Sequence, residues 1–202
     1  MPKDVTSLPP WPANAPSWGR VLLRPVSSRD AGMAMALATD PYVCATGTLP
    51  LNADEQEALD WVRRQQGRHR EGRGFSFTIE EQASGHPVGH CGLWLQNLAQ
   101  GHASAGYAVA PGFRGRGLAG DALAALTAFG WSLPGLQRIE LFIEPWNTAS
   151  IRTAERAGYV PAGMHRDYPL AGGELRDMRV YAVLRPGPQP PVRRARPPTR
   201  HE

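Results

Sequence analysis

One stretch constrains this chain more than any other: Pro111-Gly112-Phe113-Arg114-Gly115-Arg116-Gly117-Leu118-Ala119-Gly120, set between a strand-like run at residues 103–110 and a helical run at residues 118–131. Glycines let the backbone bend toward a ligand, and the first amides of a helix have no partner within it. The helix dipole adds positive potential at the same end, so a pyrophosphate fits there. Arg114 and Arg116 can add mobile positive charge. A plain glycine-rich turn with solvated arginines is the bland alternative.

Other phosphate-binding loops fit less well. The GxxxxGK[ST] pattern fails because no Lys-Ser or Lys-Thr follows the glycines. Gly115-x-Gly117-x-x-Gly120 satisfies the dinucleotide fingerprint, with Glu140 about 20 residues on where a ribose-binding acid is expected. In that fold the first glycine abuts the strand, whereas here residues 111–114 intervene. Too little chain also follows Glu140 to complete the second half of such a sheet.

A length of 202 residues with 42% hydrophobic content predicts one domain. Proline-rich ends at residues 1–18 and 186–202 frame it, read as a flexible N-terminal segment and a disordered tail around a domain at residues 19–185. Much of the +4 net charge lies in that tail, where Arg193, Arg194, Arg196 and Arg200 alternate with prolines. Solubility is its simplest role, and transient contact with RNA or the ribosome its sharper one. No apolar run is long enough for a membrane span, and the start lacks the order of a secretory signal, so the expected location is cytoplasmic. Cys44 and Cys91 read as ordinary buried thiols, and His86, His90, His102 and His165 as turn or surface residues without metal spacing. No metal site is expected.

Periodicity predicts strands at residues 21–25, 75–79, 88–95, 103–110, 138–143, 159–160 and 178–184, and helices at residues 28–39, 52–70, 118–131 and 147–157. Asn52 with Glu55 reads as a capping box. The order predicts an α/β (α+β) fold, a mixed sheet with a central crossover.

Arg114-x-x-Gly117-x-Ala119 resembles the (Gln/Arg)-x-x-Gly-x-(Gly/Ala) signature of the GNAT superfamily of N-acetyltransferases, and the segment from Glu144 to Tyr159, with Asn147, Ser150 and Gly158, resembles its downstream "N-x-x-S, then an aromatic after Gly" segment. The likeness covers roughly residues 20–185 and is nearest to the branch that acetylates ribosomal-protein N-termini. It implies a single domain with about seven strands, splayed between the fourth and fifth, and about four helices. It further implies that the amides of Phe113, Arg114, Gly115, Arg116, Gly117, Leu118 and Ala119 bind the pyrophosphate of acetyl-CoA or another acyl-CoA, and that Asn147 holds its pantetheine arm. Near Val109 a backbone amide would stabilise the developing oxyanion as an amine attacks the thioester. Ser150 corresponds to a position proposed as general acid, Asp167 lies where that branch carries an acid, and Tyr107 with Trp94, Phe77 and Trp61 could line the acceptor pocket. Without the likeness, Asn147 is an ordinary helix cap, Val109 plain core and Asp167 a solvated charge.

The implied partners are a coenzyme A thioester and an amine acceptor, either a protein N-terminus or a small molecule, built around residues 40–70 and 163–176. A homodimer is common among such proteins. Ser104 stands where many relatives carry a glutamate, which leaves open a non-catalytic acyl-CoA-binding module. The basic tail leaves open a ribosome- or RNA-associated role.

Overall fold

The computed structural model describes residues 8–187. The elements are β1 (Ser17–Trp18), β2 (Val21–Pro25), α1 (Ala31–Ala38), α2 (Pro41–Thr46), α3 (Glu55–Arg70), β3 (Gly74–Glu81), β4 (Pro87–Trp94), β5 (His102–Val109), α4 (Leu118–Ser132), β6 (Arg138–Ile143), α5 (Thr148–Arg156), β7 (Val160–Pro169) and β8 (Leu175–Leu184). They form one eight-stranded sheet in the order β1-β2-β3-β4-β5-β6-β8-β7. This is the mixed α/β sheet expected, with an extra two-residue strand at the start and an extra short helix, α2. The strands expected as fourth and fifth are therefore β5 and β6.

Alternation along β3 sorts the layers. Phe75 and Phe77 meet Phe129 of α4 edge-on, with centroids 4.8 and 5.2 Å apart, whereas Ser76 donates to Gln65 of α3 at 3.3 Å. So α4 covers one face, together with Ala154 of α5. On the other, Met33 and Leu37 of α1 pack with Ala58, Trp61 and Val62 of α3. Burying a Leu or Phe in either layer contributes roughly 1.5–3 kcal/mol.

Local chemistry moves several boundaries from where periodicity put them. The cap of α3 is Asp54, whose carboxylate accepts from Glu57 N–H at 2.8 Å while Glu57 reciprocates at 3.0 Å. Asn52 instead sits in a turn at φ 53°. Beyond α5 the chain forms a ten-residue hairpin pair, β7 and β8, in place of two short strands. The segment expected to be flexible makes contacts around residues 9–11: Trp11 sets its ring edge-on to Phe75 and Phe77, both at 5.2 Å, and His69 Nε2 lies 2.8 Å from the Pro9 carbonyl oxygen. The tail expected to be disordered lies, from residue 188 on, outside the described residues. His90 is not a surface residue. It stands against the Trp61 ring at 5.0 Å, and burial, with Arg68 adding, pushes its pKa down to about 3. Cys91 is buried as expected, while Cys44 is partly exposed. Among the described residues no helix is long and apolar enough to cross a membrane.

All neighbouring strands are antiparallel except β5 and β6, which run parallel and pair only as His102 with Arg138, Ala103 with Ile139 and Ser104 with Glu140. Past Ser104 the two strands diverge. β6 remains paired to β8 over its whole length, so it is the β5 side of the gap that is left without a strand. The sheet splays where the sequence likeness implied it would.

Candidate active site

The glycine-rich loop begins with a single tight turn, Pro111–Phe113, and ends at Gly117, the residue before α4. Gly115 and Gly117 adopt φ 75° and 76°, the left-handed region that an L side chain enters only with strain. This bend turns a row of peptide groups outward. Among the described residues nothing accepts a hydrogen bond from the N–H of Gly115, Arg116, Gly117, Leu118 or Ala119, whereas Gly120 and Asp121 already donate to the Gly117 carbonyl. Five unpaired donors at a helix start form an anion cradle.

The two loop arginines do not project freely. Arg114 pairs with Asp40 at 2.5 Å and donates through Nε to the Val109 carbonyl at 2.9 Å. Arg116 pairs with Glu81, and its own carbonyl accepts from Arg20, which is in turn held by Asp121 at 2.7 Å. Both cations are thus partly neutralised by the protein and brace the loop. The positive potential of the cradle comes first from its amides and the helix dipole.

Val109 ends β5. Because Ala110 N–H donates to the Val88 carbonyl on β4 at 2.9 Å, and successive residues alternate sides, the peptide groups of Val109 face away from β4 into the gap. Asn147 caps α5, its Oδ1 accepting from Ser150 N–H at 3.1 Å. Tyr107 reaches across from β5 to donate to the Ser150 carbonyl at 3.4 Å, and burial raises its pKa, so it stays a neutral phenol. Tyr107, Asn147 and Ser150 therefore meet at the gap. Asp167 does not join them. It sits at φ 50° in an irregularity of the β7 and β8 pairing, exposed, with its N–H donating to Asp177 at 3.3 Å. Of the aromatic residues considered for a pocket, Phe77 and Trp61 belong to the core.

Four residues at the mouth were not anticipated. Asp40 caps α2, accepting from Tyr42 N–H at 2.7 Å while it pairs with Arg114. Tyr42 meets the Trp146 ring edge-on at 4.9 Å. Between them they carry α2 across the open end of the splay, from the loop after β5 to the loop after β6. Beside Tyr42 lies Glu144, 3% exposed, which accepts from Arg176 at 2.7 Å. Burial raises the Tyr42 phenol, with Asn147 opposing and the charge of Glu144 adding to the rise. An Asp-Pro pair at residues 40–41 is a helix-start signal that would have revealed α2. Nothing in the pattern marks Glu144 or Arg176, because their meeting depends on the β6 and β8 pairing. Among the described residues no group of three or more His, Cys, Asp or Glu stands together as a metal site.

Residues 20–160 match the family described as acetyltransferase (GNAT) domain. The uncharacterized N-acetyltransferase p20 of Bacillus licheniformis is 28% identical over 166 residues, covering 82% of this chain and 93% of that protein. RimJ of Mycobacterium smegmatis, solved in complex with CoA-disulfide, is 27% identical with a TM-score of 0.69, over 85% of this chain and 84% of that one. RimL, a ribosomal L7/L12 alpha-N-protein acetyltransferase solved with coenzyme A, shares the fold at a TM-score of 0.71 and 18% identity, over 84% and 97% of the two chains. With the family matched over most of its length and its sheet splayed beside an unpaired amide row, this chain belongs to the GNAT acetyltransferase family.

Proposed function

We propose that the protein transfers an acetyl or similar acyl group from an acyl-CoA to a primary amine, a protein N-terminus or a small molecule. The observation that carries this is the row of five unpaired N–H groups from Gly115 to Ala119, opening directly onto the unpaired edge of β5. The cradle suits a diphosphate and the strand edge suits an amide-bearing arm that pairs with backbone. RimJ, similar at 27% identity, is known with a coenzyme A disulfide, which supports the same occupant here.

Acetyl-CoA would supply the activated thioester. The protein's part is positioning and charge. The amides of residues 115–119 hold the anionic end, those of Phe113 and Arg114 being already spent on the Ala110 and Pro111 carbonyls, while Val109 turns its N–H toward the gap where negative charge develops and Asn147 presents its side chain at the rim. Ser150 is the candidate proton donor to the departing thiolate. Its hydroxyl lies beside the Tyr107 phenol, while its N–H and carbonyl are both engaged. Tyr107 steadies Ser150 through that carbonyl.

The test is calorimetric titration of acetyl-CoA, succinyl-CoA and free coenzyme A into the wild type and into Gly117→Glu. A Cβ at Gly117 would lie 2.5 Å from the Arg20 guanidinium, on backbone at positive φ, and the new side chain would bring a negative charge into the loop. Micromolar binding by the wild type and at least tenfold weaker binding by the variant are expected. Equal binding by both, or none by the wild type, would remove the reading.

A further inference from the structure

We propose that Glu144 binds the amino group of the acceptor, its free carboxylate oxygen accepting a hydrogen bond from the acceptor's ammonium. This deepens the acyltransfer reading above and rests on it.

Glu144 directly follows Ile143, the last residue of β6, and so stands where the sheet has opened. Its side chain is 4% exposed. Oε1 accepts from Arg176 at 2.7 Å, while Oε2 is buried and makes no hydrogen bond of ordinary geometry among the described residues, with the Tyr42 phenol next to the carboxylate as its nearby donor. A buried carboxylate oxygen left unpaired is costly, and a native fold that retains one needs a reason for it. A counter-ion serving only Arg176 would not require this, because Arg176 already pairs with Glu174 at 2.9 Å. One guanidinium against two carboxylates leaves the cluster one negative charge in excess. That excess favours a cation as a further neighbour of Glu144.

The surroundings suit an ammonium. The Tyr42 ring lies beside Glu144, braced edge-on by Trp146 at 4.9 Å, and aromatic faces next to a carboxylate attract a cationic amine. An open cavity of about 510 Å³ lies between residues 44–50 and the turn joining β7 to β8, with Glu174 in its wall. Glu174 pairs with Arg176, which in turn holds Glu144 behind that wall. Asn147, capping α5 three residues on, fixes the distance between the amine site and Ser150. Glu144 is thus a binding residue, while removal of the ammonium proton is left to solvent.

The experiment uses the full chain as wild type, Glu144→Gln and Glu144→Asp, with the tripeptide Ala-Ala-Ala and spermidine as amine probes and thiol release as the assay. Acetyl-CoA binding is measured separately by calorimetry, as is binding of each amine to protein saturated with free coenzyme A. Glu144→Gln should raise the KM for the amine about tenfold or more, with kcat lowered less than threefold and acetyl-CoA affinity unchanged. Amine binding to the coenzyme A-saturated protein should weaken by the same factor, and Glu144→Asp should recover part of it. If Glu144→Gln lowers the melting temperature but leaves amine KM and amine binding unchanged, the residue is only a counter-ion and the proposal is overturned. A wild type that binds acetyl-CoA yet neither binds nor acetylates either amine also overturns it, while leaving the cofactor reading intact. A wild type that binds no acetyl-CoA overturns both.

Discussion

The carboxylate of Asp40 lies 2.5 Å from the guanidinium of Arg114, fastening the first turn of α2 to the loop that opens α4. Asp40 also caps α2 through Tyr42 N–H, so its two roles separate by substitution. Asn keeps the cap and loses the charge. With Arg114 about half exposed, Asp40→Asn should cost about 0–1 kcal/mol. Asp40→Ala should cost about 1 kcal/mol more through the lost cap, in urea unfolding. Releasing Arg114 leaves the loop more positive, so the Asn variant should bind acetyl-CoA at least as tightly as the wild type. Tenfold weaker binding would show that α2, not loop charge, governs the site.

Asp30 anchors the opposite layer. Fully buried, it accepts from Nη1 and Nη2 of Arg24 at 2.9 and 2.7 Å, from Ser27 N–H at 2.8 Å and from Thr78 at 2.8 Å. Asp30→Ala strands the largely buried Arg24 beside Glu80 alone and should destabilise by about 3–5 kcal/mol. Burial pushes the Asp30 pKa up, but Arg24, Ser27 and Thr78 outweigh it and hold it below 3.8. A folded pKa below the unfolded one stabilises fully at higher pH and is lost as pH falls through the folded value. The stability gap between wild type and Asp30→Asn should therefore be constant from about pH 5 to 7 and shrink below about pH 4. A gap that does not change down to pH 3 would contradict this.

Ser150 and Tyr107 can be told apart kinetically. Ser150→Ala should lower kcat about tenfold to a hundredfold if the hydroxyl donates a proton, with acetyl-CoA affinity unchanged by calorimetry. Tyr107→Phe removes the phenol's 3.4 Å bond to the Ser150 carbonyl and its contacts with the Ser150 and Thr153 hydroxyls and should lower kcat less than threefold. Identical kcat in wild type and Ser150→Ala would remove the serine from proton transfer.

Trp11 is part of the fold. Its edge-on contacts with Phe75 and Phe77 and its partial burial predict that Trp11→Ala costs about 2 kcal/mol, below the range for a fully buried aromatic. Deleting residues 1–12 should cost at least as much. If chemical denaturation finds no change, the segment is dispensable and the domain starts nearer residue 19.

The cradle was legible because it is a local object. Gly115 and Gly117 are needed wherever the backbone turns left-handed, and the helix start follows within the same ten residues. Asn147 as a cap and the alternation of Phe75, Phe77 and Ile79 were legible for the same reason. The capping box of α3 was misplaced by two residues because Asp54 competes with Asn52 as a cap, and only the backbone conformation at each decides between them.

The sequence alone therefore determined most of the order of strands and helices, β1 and α2 excepted, and the position of an anion-binding loop, since these depend on contacts within a few residues. Tertiary structure decided how that loop's charges are spent and what stands opposite it. Arg114 meets Asp40 across 74 positions of chain, and Glu144 meets Arg176 across 32. No periodicity encodes such distances. They arise because β5 and β6 part after three residue pairs, which opens the sheet to side chains carried there by α2 and β8.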